Sequence, residues 1–139
     1  MGPLRRNFEA LPKFDGNVNA ADRRTYAMIP VYALADLPTG PRSREFVGDG
    51  RQSGVSVIVT DYPDPGGGPR LHTHPYSETF FVIEGRALFV VGDETVEVGA
   101  GSFVVAPAGV PHKFTNLGPG RLFQVDIHDA PVFATDWLE

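Results

Sequence analysis

Residues 69–85 read PRLHTHPYSETFFVIEG and residues 101–116 read GSFVVAPAGVPHKFTN; between them they hold His72, His74 and His112, three of the four histidines in the chain. Side chains alternate between the two faces of a strand, so His72 and His74 share a face, with Cα atoms about 6.6 Å apart. Two imidazoles so placed can converge on one ion. Pro75-Tyr76-Ser77 interrupts that strand, and the chain re-enters as Glu78-Thr79-Phe80-Phe81-Val82-Ile83-Glu84, where Phe80 and Val82 share the face of Glu78. His112 heads a later run, with Phe114 two residues on. A carboxylate aimed into an apolar interior is costly unless something compensates it, and a divalent cation does so. Hydrogen bonds among the same four groups, with no metal, are the alternative that spacing leaves open.

Working outward, the neighbouring sequence is strand and turn. Gly54-Val55-Ser56-Val57-Ile58-Val59-Thr60 runs toward Pro63-Asp64-Pro65-Gly66-Gly67-Gly68-Pro69, which cannot continue a ladder and reads as a loop delivering the histidine strand. With no Gly-Lys-Ser/Thr and no following helix, it is not a phosphate-binding loop. Arg86–Val91 and Glu94–Val98 flank Gly92-Asp93 as a hairpin. Ser102–Val105 is a further strand, followed by turns at Pro107-Ala108-Gly109 and Leu117–Gly120. Arg121–His128 reads as a last strand with Phe123, Val125 and Ile127 on one face. Met28–Leu34 looks like the first strand-forming run, with Pro30 marking an edge. No helical periodicity or repeat appears, so the fold class is all-β. Short strands separated by turns suit a double-sheet jelly roll.

Written as a pattern, the two stretches are Gly66-x5-His72-Thr73-His74-x3-Glu78-x6-Gly85 and Gly101-x5-Pro107-x-Gly109-x2-His112-x3-Asn116. They resemble, position for position, the two conserved motifs of the cupin family of small β-barrels. The resemblance covers residues 54–128 and implies a double-stranded β-helix (jelly-roll) cupin barrel. It also implies one divalent metal held by His72, His74, Glu78 and His112. Family members commonly pair, so a homodimer is expected, with residues 28–47 and 131–138 placed at the interface. Residues 1–27, polar and irregular, read as an N-terminal arm, leaving 28–139 as a single cupin domain around the motif-bearing core.

Composition sets the outer limits. At 139 residues the chain suits one domain with one core. A net charge of −5 disfavours nonspecific binding to nucleic acid or an anionic membrane. The absence of cysteine excludes disulfides and thiolate ligands and suits a reducing compartment, so a cytoplasmic location is expected. No apolar run is long enough to span a bilayer.

Imidazole and carboxylate ligation suits Fe, Mn, Ni, Co, Cu or Zn, and a net positive site attracts a carboxylate or enolate. A six-coordinate ion would keep open positions for substrate; a tetrahedral zinc would be closed and structural. Strand parity nominates Arg70, Phe80, Val82 and Phe114 as substrate-pocket lining, with Tyr76 as a cap or proton donor. Glu78 is the candidate catalytic group, as ligand and proton acceptor. Glu84 reads as a solvated strand end, Trp137 as ordinary packing, and His128, outside both motifs, as a surface or core-edge histidine. The function expected is a metal-dependent oxygenase, dioxygenase-like, acting on a small organic substrate that is aromatic or forms an enolate. A non-redox isomerase or decarboxylase and a non-catalytic small-ligand sensor are the alternatives.

Overall fold

Among the described residues, eleven short strands form two antiparallel sheets. They are β1 (Thr39–Gly40), β2 (Ser43–Phe46), β3 (Ser56–Tyr62), β4 (His72–Thr73), β5 (Glu78–Glu84), β6 (Arg86–Val91), β7 (Glu94–Gly99), β8 (Phe103–Ala106), β9 (His112–Asn116), β10 (Leu122–His128) and β11 (Asp136–Trp137). One sheet runs β1-β2-β3-β10-β5-β8 and the other β11-β4-β9-β6-β7. The structure, a computed structural model, describes residues 29–139. The expected N-terminal arm lies outside the described residues. Residues 32–139 form one unit, and it is the expected double-stranded β-helix.

The strands form where β-branched and aromatic residues alternate, and they stop at glycine and proline. At the β6–β7 hairpin Gly92 takes φ +59°, as a two-residue connection between right-twisted strands requires. In the loop before β4 a Cβ on Gly68 would overlap the Phe114 carbonyl, so glycine lets this loop lie against β9. Asn116 closes the same corner: its Nδ2 stands 3.0 Å from the carbonyls of Tyr62, Asp64 and Gly120, and its Oδ1 accepts the Gly118 N–H. This side chain ties the end of β9 to the loop that aims His72.

Between the sheets lie Phe80, Val82, Ala87, Phe89, Ala106, Phe114 and Leu122, all buried. Phe80 meets Phe89 and Phe114 edge-on, with centroids 5.0 and 5.8 Å apart. One local expectation changes. Ile29–Ala33 contains no strand and Leu34–Asp36 is a 3-10 turn; Pro30 offers no N–H to a ladder, and no described strand pairs with this run. The C-terminal segment returns to its own chain: β11 pairs with β4, and Leu138 N–H donates to the Leu71 carbonyl at 2.9 Å. No helix among the described residues is long and apolar enough to cross a membrane.

Candidate metal centre

The fold brings the four predicted ligands together at one end of the barrel. β4 and β9 pair at His72 and His112, which sets those two imidazoles side by side with centroids 4.4 Å apart. His74 follows β4, and its carbonyl accepts the Gly109 N–H at 2.8 Å, so the second motif's turn clips onto the first. Glu78 comes from the other sheet. One ligand atom from each of His72, His74, Glu78 and His112 lies within 4.8 Å of every other, and all four residues are buried.

Hydrogen bonding sets the tautomer of three imidazoles. His72 Nδ1 lies 2.7 Å from the Arg70 carbonyl, His74 Nδ1 2.8 Å from that of Ala134, and His112 Nδ1 2.9 Å from that of Val110. A carbonyl can only accept, so each Nδ1 carries the proton and each Nε2 presents its lone pair inward. His74 and His112 Nε2 then stand 2.9 and 2.8 Å from Glu78 Oε2. Lone pairs facing a carboxylate repel unless a proton or a cation lies between them. The approach of His74 Nε2 is also off the line of a hydrogen bond, leaving that buried nitrogen without a partner. A metal ligated at about 2.1 Å separates adjacent ligand atoms by about 3 Å, close to the separations of Glu78 Oε2 from the His74 and His112 Nε2 atoms. The donor set therefore fits a transition-metal ion.

The electrostatics describe an ionised carboxylate held among imidazoles. Burial alone would raise the Glu78 carboxyl, but the imidazoles of His112, His128 and His74 outweigh it and hold the group well below the usual carboxylate range. Burial lowers His72. Burial acts on His74 in the same sense, yet its contacts with Glu78 and the Ala134 carbonyl leave it raised.

His128 is where the sequence reading falls short. It is buried, not superficial, and its Nε2 lies 3.0 Å from Glu78 Oε1. Its Nδ1 meets the Tyr76 hydroxyl at 3.0 Å, and that hydroxyl accepts the Ala134 N–H at 3.1 Å. Tyr76 thus has its own proton to give to Nδ1, which leaves the His128 proton on Nε2; like His74 Nε2, that nitrogen nears Glu78 off the line of a hydrogen bond. This is the opposite tautomer to the three ligand imidazoles. The signal was present in parity, because His128 falls on the same face of β10 as Gln124 and Asp126, and all three are buried.

A cavity of about 310 Å³ opens over the centre, lined by His72, His74, Glu78 and His128. Phe114 lines it too; Tyr76, expected as a cap, does not line the cavity and instead bonds His128 Nδ1. Phe80 and Val82 lie beneath, in the apolar core. Arg70 is exposed, its guanidinium 5.0 Å above the ring of Trp137, which lines the cavity and leans on His72. Glu84 is exposed and accepts from Arg121 Nε at 2.8 Å. Tyr62, Phe133 and Thr135 also line the cavity and were not singled out from sequence.

Comparison with known proteins places this architecture. A cupin domain model matches residues 62–128. An uncharacterized protein of Methanocaldococcus jannaschii is 32% identical over 95 residues, which is 67% of this chain and 74% of that protein. An uncharacterized protein of Streptomyces coelicolor is 50% identical over 44 residues, 32% of this chain and 42% of the relative. Among solved structures, oxalate decarboxylase from Bacillus subtilis superposes with a TM-score of 0.68 at 22% identity, covering 77% of this chain but only 31% of that enzyme. A double-stranded β-helix protein from Klebsiella pneumoniae superposes with a TM-score of 0.63 at 20% identity, covering 80% of this chain and 98% of that one.

Proposed function

The chain belongs to the cupin family, and from that premise we propose that it is a metal-dependent enzyme of dioxygenase type, acting on a small organic substrate that is aromatic or forms an enolate. One observation carries this reading. Three lone pairs and a carboxylate converge at the foot of a cavity of molecular size, where a purely structural metal would be sealed. His72, His74, Glu78 and His112 would hold the ion, which when bound supplies a Lewis acid and, if iron or manganese, one-electron chemistry with O2.

The chain's own groups do the rest. Tyr62, Phe114, Phe133 and Trp137 give the cavity aromatic walls that exclude water and favour a planar substrate. His128 keeps a proton at Nε2 near Glu78 Oε1, and Tyr76 can resupply the ring through Nδ1. That relay favours a second reading, a non-redox decarboxylation or isomerisation in which the relay delivers a proton to substrate carbon. Oxygen uptake by Fe(II)-loaded protein across catechols, flavonols and β-diketones tests the first reading. Turnover without oxygen uptake selects the second. Ligand-induced melting shifts without turnover on any metal would leave a non-catalytic binding protein.

The expected homodimer has a surface to form on. Phe81 and Phe103 stack on the outer face of the six-stranded sheet with centroids 4.4 Å apart, and Phe103, Val105 and Ile83 are 66, 54 and 42% exposed. Edge strand β8 bounds this patch. A Phe103→Asp variant should sediment as a monomer while the wild type sediments as a dimer; a monomeric wild type would remove the dimer from the account.

A further inference from the structure

One wall of the cavity is built differently from the other. Inward positions of β2, β3 and β10 supply Glu45, Thr60 and Asp126, all lining the same space as the candidate ligands. Ladder register keeps them together: Glu45 pairs with Ile58, Asp126 also pairs with Ile58, and Thr60 pairs with Gln124. The Thr60 hydroxyl is 5% exposed as a residue and has no hydrogen-bond partner. Gln124, fully buried, spends its Nε2 on Asp126 Oδ1 at 2.8 Å and leaves its Oε1 without a donor. Glu45 forms no ion pair among the described residues, and no lysine or arginine among them lines the cavity. Glu45 thus lines the cavity as a carboxylate with no ion-pair partner among the described residues, beside a Thr60 hydroxyl that lacks one too. Unsatisfied buried polar groups are rare in native proteins, and they persist where something outside the chain satisfies them.

We propose that Glu45, Thr60 and Asp126 form a subsite for the end of the ligand remote from the metal, selecting a hydroxyl or ammonium donor over a second carboxylate. This rests on the metal-anchored reading given above for the near end of the ligand, and it narrows the substrate class to small hydroxy or amino acids and their enolates. A second carboxylate would meet Glu45 with no cation to offset it. A hydroxyl or ammonium would supply Glu45 with the donor it lacks among the described residues.

Four matched acids test it: butyrate, 4-hydroxybutyrate, 4-aminobutyrate and succinate. Each is titrated calorimetrically into the full chain, Mn(II)-loaded and metal-free. The hydroxy and amino acids should bind about tenfold tighter than butyrate, and succinate weakest, because an unmet acceptor gains its partner only in the first two. The double variant Glu45→Gln/Thr60→Val should bring the hydroxy, amino and methyl members within roughly threefold of one another. Valine is close to threonine in shape, so the variant should melt no lower than wild type, which separates lost recognition from lost fold. Succinate binding as tightly as 4-aminobutyrate overturns the subsite. So does discrimination that survives in the double variant, or failure of the hydroxy and amino acids to bind either form. Metal dependence is scored separately: butyrate affinity that does not rise on loading defeats the metal-anchored reading, while the ranking of the four acids still judges the subsite.

Discussion

β5 and β10 lie side by side in one sheet and face the same interior, yet they are opposite in kind. On β5 the inward row is Glu78, Phe80, Val82: one carboxylate, then apolar side chains. On β10 the inward row directly opposite is His128, Asp126, Gln124, three polar side chains before Leu122 joins the core, while Phe123, Val125 and Ile127 point out. The first strand is core with a functional group at its head. The second turns its hydrophobic face to the outside of the barrel and its polar face to the inside. Alternation divides a strand into two faces but does not say which is interior. Whatever covers the outer face, and whatever fills the cavity, decides that.

The contrast can be broken by substitution. Phe80→Ala, in the apolar row, should lower stability by about 3–5 kcal/mol in denaturant titration, since Phe80 packs on Phe89 and Phe114. A loss near zero would mean the apolar row is not the core. Next comes metal binding at the heads of the two rows. Glu78→Gln should weaken metal affinity by roughly 100-fold or more, and His128→Asn by about tenfold, because the first loses a ligand and the second only the group that orients it. Equal losses would make His128 a ligand in its own right.

The smallest effect sharpens the comparison through pH. Burial, and then the Glu78 charge, raise the Asp126 carboxyl well above its ordinary value. The folded chain therefore keeps a proton that the unfolded chain has released above about pH 4, and metal-free stability falls as pH rises through that interval. Asp126→Asn should remove the fall and gain about 1 kcal/mol at neutral pH. An unchanged pH profile in thermal melts would show that Asp126 ionises freely. Burial is the larger cause, so the trend should survive metal loading.

The convergence of the four candidate ligands was legible because it depends on short-range facts: His72 and His74 two apart on a strand, Glu78 after a break, His112 beyond a proline-glycine turn. Loops and hairpin were legible for the same reason, as glycine and proline act locally. His128 was not, since its role comes from pairing with Glu78 across fifty residues of chain. Neither was the return of β11 onto β4, a two-residue ladder with no pattern of its own. Arg70 shares the parity of His72, but stacking on Trp137 draws it to the surface, and nothing local announces that partner.

Anomalous diffraction from crystals grown with Fe, Mn, Ni and Zn would test the centre most directly, with the ion identified at its absorption edge. The expected result is a single peak bonded to His72, His74 and His112 through Nε2 and to Glu78, with His128 outside the coordination sphere. Water between those side chains at saturating metal, or a carboxylate hydrogen-bonded directly to a protonated imidazole, would contradict it.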